Sequence, residues 1–444
     1  MEKPSLYRTI WRWHFYAGLF VLPFILILSV TGSIYLFKPQ IDHWQESEWR
    51  GLPTQNGVGA ERQLAVVMAA NPGAHFRNYR LPQDPGDAAV VHIGLSDGVS
   101  MRDVYVSPQG KFLASIDPES RISSTVARIH GSLMIGKWGS YLLELAASWT
   151  IVMILSGLYL WWPRGQGLAG VLWPRLGLGK RGFWRDIHAV TGFWVSGLAL
   201  VTLASGLPWT DVWASGFKIV RAEMGWLDAK PQDWKGSGDD PHFAHDHTTM
   251  MANGKAPASL SSITLNEIVR KARAEAMPSP AIIIPPGAPM RFGPPNGADW
   301  KFTSEAQNRT VIRSVTFDAQ TGAETGRSDF ADKHILDRII NTGIAWHEGQ
   351  LFGWFNQLIG LLTAFALIGL AVSSIHMWWR RKPKDSRWFD LGAPPKLKQP
   401  GRIKGIALIG VIAALMLPMI ALSLAVIFLA DRCAQSFVAR PVFN

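Results

Sequence analysis

Five histidines occupy places where a membrane-spanning segment would rarely carry an ionisable group. His14 lies two residues after Arg12, His188 three after Arg185, and His376 four before Arg380, each at one end of a long apolar stretch. His130 and His347 lie near the opposite ends of such stretches, in HGSLMIGKWG and HEGQLFGW. Ionisable side chains within a membrane are costly and usually functional. Neutral imidazole suits a low-dielectric site and is a standard axial ligand of haem iron. Gly18 and Gly192 follow His14 and His188 by four residues, so they share a helix face with them. Bare backbone at that point would let a flat macrocycle approach closely. The competing reading is helix packing through small residues, with interfacial histidines that only hydrogen-bond. Three histidines at one depth, two of them related by a repeat, favour a cofactor. For His130 and His347 the choice lies between surface histidines and a second haem or an electron exit on the substrate side.

The repeat is exact in spacing. His14, Gly18 and Thr31-Gly32 recur 174 residues later as His188, Gly192 and Ser205-Gly206. His130, Trp161-Trp162 and Arg164 recur 217 residues later as His347, Trp378-Trp379 and Arg381. Each half therefore reads as helix, soluble block, helix, over 1–165 and 184–382. Two helices per half make the repeat parallel, about a pseudo-two-fold axis along the membrane normal. The repeat fails at His376, whose counterpart is Tyr159. Three histidines thus compete for two axial positions at one face. Symmetry favours His14 with His188; the alternative pairs His376 with one of them and leaves the third to hold a propionate or a donor. His347 and His376 are 29 residues apart, about 44 Å along an unbroken helix. They cannot serve one haem but could serve two stacked sites, particularly if Gly349 or Gly353 breaks the helix.

The elements that would position these groups follow from hydropathy. Hydrophobic residues make up 48% of the 444 and charged residues only 17%, unevenly spread. Uncharged stretches at 15–37, 145–163, 187–210, 349–379 and 406–430 are each long enough for a helix across the hydrocarbon core. They predict about five spans, at 1–37, 138–163, 186–210, 349–379 and 406–430, the first retained rather than cleaved. Pro23, Pro208 and Pro418 are possible helix breaks. Basic residues fall in the N-terminal segment (Lys3, Arg8, Arg12) and in the loops 164–185 and 380–405. These segments are expected in the cytoplasm, with 38–137, 211–348 and the tail 431–444 in the periplasm. The net charge of +11 is largely theirs, so it gives no reason to invoke nucleic acid. Many of the 21 tryptophans stand at predicted helix ends, as interfacial anchors do.

The soluble blocks echo each other too. Residues 61–71 and 264–276 predict short helices. Residues 104–115 and 314–325 predict hairpins turning at Gly110 and Gly322. Two small α+β domains are expected. His242, His245 and His247 form a cluster in a Gly- and Pro-rich stretch, either a divalent-metal site or a histidine-rich loop. Cys433 is the only cysteine, which excludes an intramolecular disulfide and a thiolate-held iron–sulfur cluster. A phosphate-loop signature is absent.

RTIWRWHFYAG (8–18), IHGSLMIGKWGSYL (129–142), LYLWWPR (158–164), RDIHAVTGFW (185–194), WHEGQLFGWFNQ (346–357) and HMWWRR (376–381) together resemble the PepSY-associated transmembrane family, including FoxB-type inner-membrane siderophore reductases. The resemblance covers 1–382. It implies an α-helical bundle in two pseudo-symmetric halves, two PepSY-like periplasmic domains, and two b-type haems. The ligands would come from His130 and His347 on one side and from His14, His188 and His376 on the other. It further implies reduction of ferric siderophore in the periplasm of a bacterium, with release of ferrous iron. The donor would be a quinol or a cytoplasmic reductase. The alternatives are a siderophore or iron permease, and a non-redox scaffold with PepSY-like binding domains.

Overall fold

A computed structural model describes residues 5–163, 168–226, 261–289, 295–381, 392–393 and 403–438. His242, His245 and His247 lie outside the described residues, as does most of the basic loop 380–405. In chain order the elements are α1 (Ser5–Tyr35), α2 (Lys38–Gln45), α3 (Ala60–Ala70), β1 (His75–Arg80), β2 (Ala89–Gly94), β3 (Met101–Val106), β4 (Phe112–Ile116), α4 (Ile122–Ser132), α5 (Lys137–Trp161), α6 (Gly179–Gly206) and α7 (Asp211–Glu223). There follow α8 (Leu265–Ala274), β5 (Ala281–Ile284), β6 (Trp300–Ser304), β7 (Ser314–Phe317), β8 (Glu324–Ser328), α9 (Ile335–His347), α10 (Trp354–Arg381), α11 (Ile403–Met416) and α12 (Pro418–Val438). The chain divides into a helical unit (1–33, 130–224, 359–444) and a sheet unit (34–129, 225–358).

Among the described residues of the helical unit, four helices are long and apolar enough to cross a membrane: Leu6–Tyr35, Lys137–Trp161, Gly179–Trp209 and Trp354–Arg381. Their outward positions carry exposed apolar side chains such as Leu155, Val201, Phe365 and Val372, as lipid-facing surfaces do. The predicted fifth span, 406–430, is divided: α11 ends at Met416 and α12 begins at Pro418. Proline has no N–H to donate and pushes the preceding residue out of helical geometry, which places the break at Leu417. Leu417 and Ile420 are buried there with Leu207, against Trp149 and Trp213. Pro23, by contrast, sits within α1 without ending it. The buried Glu144 of α5 accepts hydrogen bonds from the Val212 and Trp213 amides, both at 2.9 Å. It supplies acceptors for the open N-terminus of α7, which accounts for a carboxylate at this depth.

The fourth predicted span also starts late. α9 ends at His347, and Gly349 (φ +72°) and Gly353 (φ +59°) carry the chain through a left-handed turn before α10 begins at Trp354. The first half does the same between α4 and α5, at Gly136 (φ +60°), which is Gly353 in the repeat.

The soluble blocks form one sheet rather than two. The short helices and both hairpins occur where the sequence places them, with Gly110 and Gly322 at positive φ in the turns. However, β1 pairs antiparallel with β5, matching Tyr79 to Ile283 and Arg80 to Ile282. The result is a continuous eight-stranded sheet of order β4-β3-β2-β1-β5-β6-β7-β8. α3 and α8 cover one face, burying Val67 and Ile268 against Val91, Ile93, Val104, Ile283, Phe302 and Val315. A Thr264–Glu267 capping box starts α8. On the other face Trp49 and Leu52 cover Val90 and Tyr105. Both faces of β2 are therefore buried, and its apolar residues run together instead of alternating.

A buried charge network fastens α2 and the start of α4 to this sheet. Glu46 pairs with Arg80 and Arg121, both at 2.8 Å, and Arg121 reaches Asp103 at 2.9 Å. Burial alone would raise the Glu46 carboxyl, but Arg80 and Arg121 outweigh it and hold it at about 2. Asp103 is likewise held well below the usual carboxylate range, burial being outweighed by His92 and Arg121.

Candidate functional site

The helical unit encloses a cavity of about 1670 Å³ between α1, α5, α6 and α10. His14, Gly18, His188, Gly192 and His376 all line it. Helical spacing explains the grouping, since each histidine and its glycine lie one turn apart on an inward face.

The two repeat-related histidines are held in the same way. His14 Nδ1 is 3.0 Å from Ser156 Oγ on α5, and His188 Nδ1 is 3.0 Å from Ser373 Oγ on α10. Ser374 Oγ lies 3.3 Å from the same His188 atom. Each serine hydroxyl already donates its proton along its own helix, Ser156 to the Met153 carbonyl and Ser373 and Ser374 to the Leu370 carbonyl. The serine oxygen is then an acceptor, so the imidazole must be the donor through Nδ1–H. That tautomer leaves the lone pair on Nε2, the arrangement found where a histidine binds a metal through one nitrogen and is oriented through the other.

The glycines do separate jobs. A methyl on Gly157 would lie 3.1 Å from His14 Cε1, so the bare backbone there lets the ring lie against α5. A methyl on Gly18 or Gly192 would meet only Met153 Sδ or Leu370 Cδ2, at 3.7 Å. Packing within the chain does not demand glycine at those two positions. They leave flat wall beside each histidine. Trp161 and Phe193 stack at 4.0 Å and 8° on another wall.

His376 differs. Its ring lies 4.5 Å from that of Trp184, and its Nε2 is buried without a hydrogen-bond partner among the described residues. A family model described as PepSY-associated TM region matches residues 11–381. The chain belongs to the PepSY-associated TM family. No curated protein matches it. The family region opens three residues before His14 and closes at Arg381, so it contains all five histidines; α11 and α12 lie beyond it.

Within this PepSY-associated TM region, His130 occupies the last turn of α4. Its Nδ1 is 2.9 Å from Thr31 Oγ1, whose proton goes to the Ile27 carbonyl at 2.7 Å. The tautomer argument applied to the serines therefore applies here, and His130 too carries its lone pair on Nε2. A methyl on Gly32 would lie 3.3 Å from His130 Cε1. Thr31 and His14 are 17 residues apart on α1, about 26 Å of rise, so the helix carries a held imidazole near each end. His347 is the last residue of α9, in the sheet unit.

Sequence reasoning missed Ser156, Ser373, Ser374, Gly157 and the hydroxyl role of Thr31. A signal was present: the same offset of 217 that relates His130 to His347 relates Ser156 to Ser373 and Met153 to Leu370. Among the described residues, no group of three or more His, Cys, Asp or Glu is placed to hold a metal ion directly.

Proposed function

We propose that this chain is a haem-b-carrying reductase of the bacterial inner membrane, passing electrons from the cytoplasmic to the periplasmic side to reduce ferric siderophore. The observation that carries the proposal is the matched pair His14 and His188, each fixed by a serine as the Nδ1–H tautomer beside a bare-backbone wall of one cavity. The residues fit the group. Two imidazoles present Nε2 lone pairs, Gly18 and Gly192 leave room for a flat ring, and the cavity exceeds the ~300–1,000 Å³ of ordinary ligand pockets. His14 and His188 would hold the haem iron there, and His376 would not. His130, held by Thr31, would serve a second haem towards the substrate side. Bound haem supplies reversible one-electron chemistry between iron(III) and iron(II).

The chain's own contribution is orientation and insulation. Ser156, Ser373 and Thr31 fix the imidazole rings, and the apolar helices exclude water around them. The held histidines near the two ends of α1 suit passage across the membrane. With the cell interior negative, moving an electron outwards is favoured by about 2.3 kcal/mol per 100 mV. Ferric iron held by hard oxygen donors is released more readily once reduced, so a single electron suffices. The donor would be a quinol or a cytoplasmic reductase. The five-span topology, the cytoplasmic N-terminus and the reading of each soluble block as a PepSY-like domain belong to this proposal.

A reduced-minus-oxidised spectrum of the purified chain, with haem quantified, tests it. Two low-spin b-type haems per chain are expected. His14→Ala and His188→Ala should each remove the same one, and ferric siderophore should reoxidise the reduced protein. A chain that takes up no haem in cells supplied with haem precursor is not a reductase of this kind.

A further inference from the structure

The rim of the helical cavity is strongly cationic. Arg175, Arg181, Arg185, Arg380 and Arg381 line it, against Asp186 as the single carboxylate among the described lining residues. Asp186 is already committed. Arg175 binds both of its oxygens, at 2.8 and 3.1 Å, and Arg185 binds one at 2.9 Å. Among the described residues the lining offers no other acidic side chain for the remaining arginines.

Two buried nitrogens facing this cavity have no hydrogen-bond partner among the described residues: His376 Nε2 and Arg381 Nε. They stand against different walls. The His376 ring leans on Trp184 of α6. The Arg381 guanidinium is held over Phe15 and Trp11 of α1, at 4.8 and 5.3 Å. Leaving a buried polar nitrogen unsatisfied is costly, the more so for a charged group. Two of them at one rim, where the described lining carries five arginines against one aspartate, mark a place for an anion with hydrogen-bond acceptors. His376 also lacks what His14 and His188 share. No serine hydroxyl holds its Nδ1 among the hydrogen bonds the structure records, and its counterpart in the first half, Tyr159, cannot be a like ligand.

We propose that His376 and Arg381 form a carboxylate-binding subsite that takes the propionate groups of the macrocycle held by His14 and His188. The inference rests on the haem reading above and assigns His376 a role distinct from axial ligation. His376 donates through Nε2–H and Arg381 through its guanidinium. Because the two stand against different walls, they would also fix which way round the macrocycle enters.

The test uses the full-length chain, freed of haem and embedded in nanodiscs of zwitterionic lipid. It is titrated separately with haem b and with haem b dimethyl ester, whose carboxylates are blocked. The wild-type chain should bind the free acid at least tenfold more tightly than the diester. His376→Gln and Arg381→Gln should each lose about tenfold for the free acid and nothing for the diester, with Arg381→Lys in between. The low-spin spectrum should survive in every variant. Equal losses for both macrocycles would overturn the inference, and so would a high-spin spectrum in His376→Gln, which would make His376 an axial ligand. Loss of co-purifying anionic lipid by native mass spectrometry, with both haem affinities unchanged, would assign the subsite to a lipid phosphate instead. Failure of the wild-type chain to bind either macrocycle would sink the haem reading together with this one; binding without discrimination would sink this one alone.

Discussion

The hydroxyl of Ser156 directs its proton at the Met153 carbonyl, so toward His14 it can only accept. Alanine at this position removes the acceptor, frees the ring to rotate and lets the other tautomer form. Oriented ligands of this sort lose roughly 10–100-fold in metal affinity when the orienting group is removed. Ser156→Ala should therefore weaken haem binding at the inner site by that factor. At His188 two hydroxyls converge, so Ser373→Ala and Ser374→Ala must be combined to match it. Equilibrium Soret titration reads both, and unchanged affinity would mean that the hydroxyls are incidental. The histidines were legible in the sequence because an ionisable residue in an apolar stretch is rare. The serines were not, because serine is ordinary in a membrane helix and often bonds back to its own backbone. The offset of 217 that relates Ser156 to Ser373 marks the pair in the sequence, but only the hydrogen bond to His14 shows what it does.

Among the elements, the informative ones are the two breaks that follow His130 and His347. Between α4 and α5, Leu133 and Met134 have φ of +52° and +61°, and Gly136 has φ +60° with ψ −142°, a combination almost reserved for glycine. Gly136→Ala should cost about 1–3 kcal/mol, seen as a lowered thermal midpoint of the purified protein. A neutral effect would mean that the turn relaxes freely. The sequence pointed to a break at Gly349 or Gly353 but could not say that both would adopt left-handed geometry. Apolar composition runs straight through the turn into the helix, so hydropathy begins the span too early, at 349 rather than at Trp354. Pro418 was visible as a possible break, and hydropathy again read across it. Uncharged residues on both sides look alike to a window that sees only polarity.

For the molecule as a whole, the continuous sheet is the feature that local pattern could not supply. Both helix-plus-hairpin blocks were legible from turn residues and alternation. The pairing of β1 with β5 was not, because it joins segments about 200 residues apart through backbone groups that every strand possesses. Ile283 lies fully buried at this seam, opposite Tyr79 and Phe302. Ile283→Ala should cost roughly 2–5 kcal/mol. If the sheet unfolds as one cooperative body, hydrogen exchange should accelerate as much in β2 and β3 as in β6 and β7. Acceleration confined to β5–β8 would indicate two separately folding domains.

The palindromic strand order has a further consequence. Strand β1 meets its own counterpart, β5, head to tail at the centre, as identical edges do when two copies of one chain meet in an isologous dimer. A half-length ancestor would have presented that edge to a second copy of itself. The present chain thus has the form of a homodimer written into one gene. Fusion also frees the halves from having to match. A true dimer would carry histidine at both positions 159 and 376 or at neither, whereas this chain keeps Tyr159 in one half and His376 in the other.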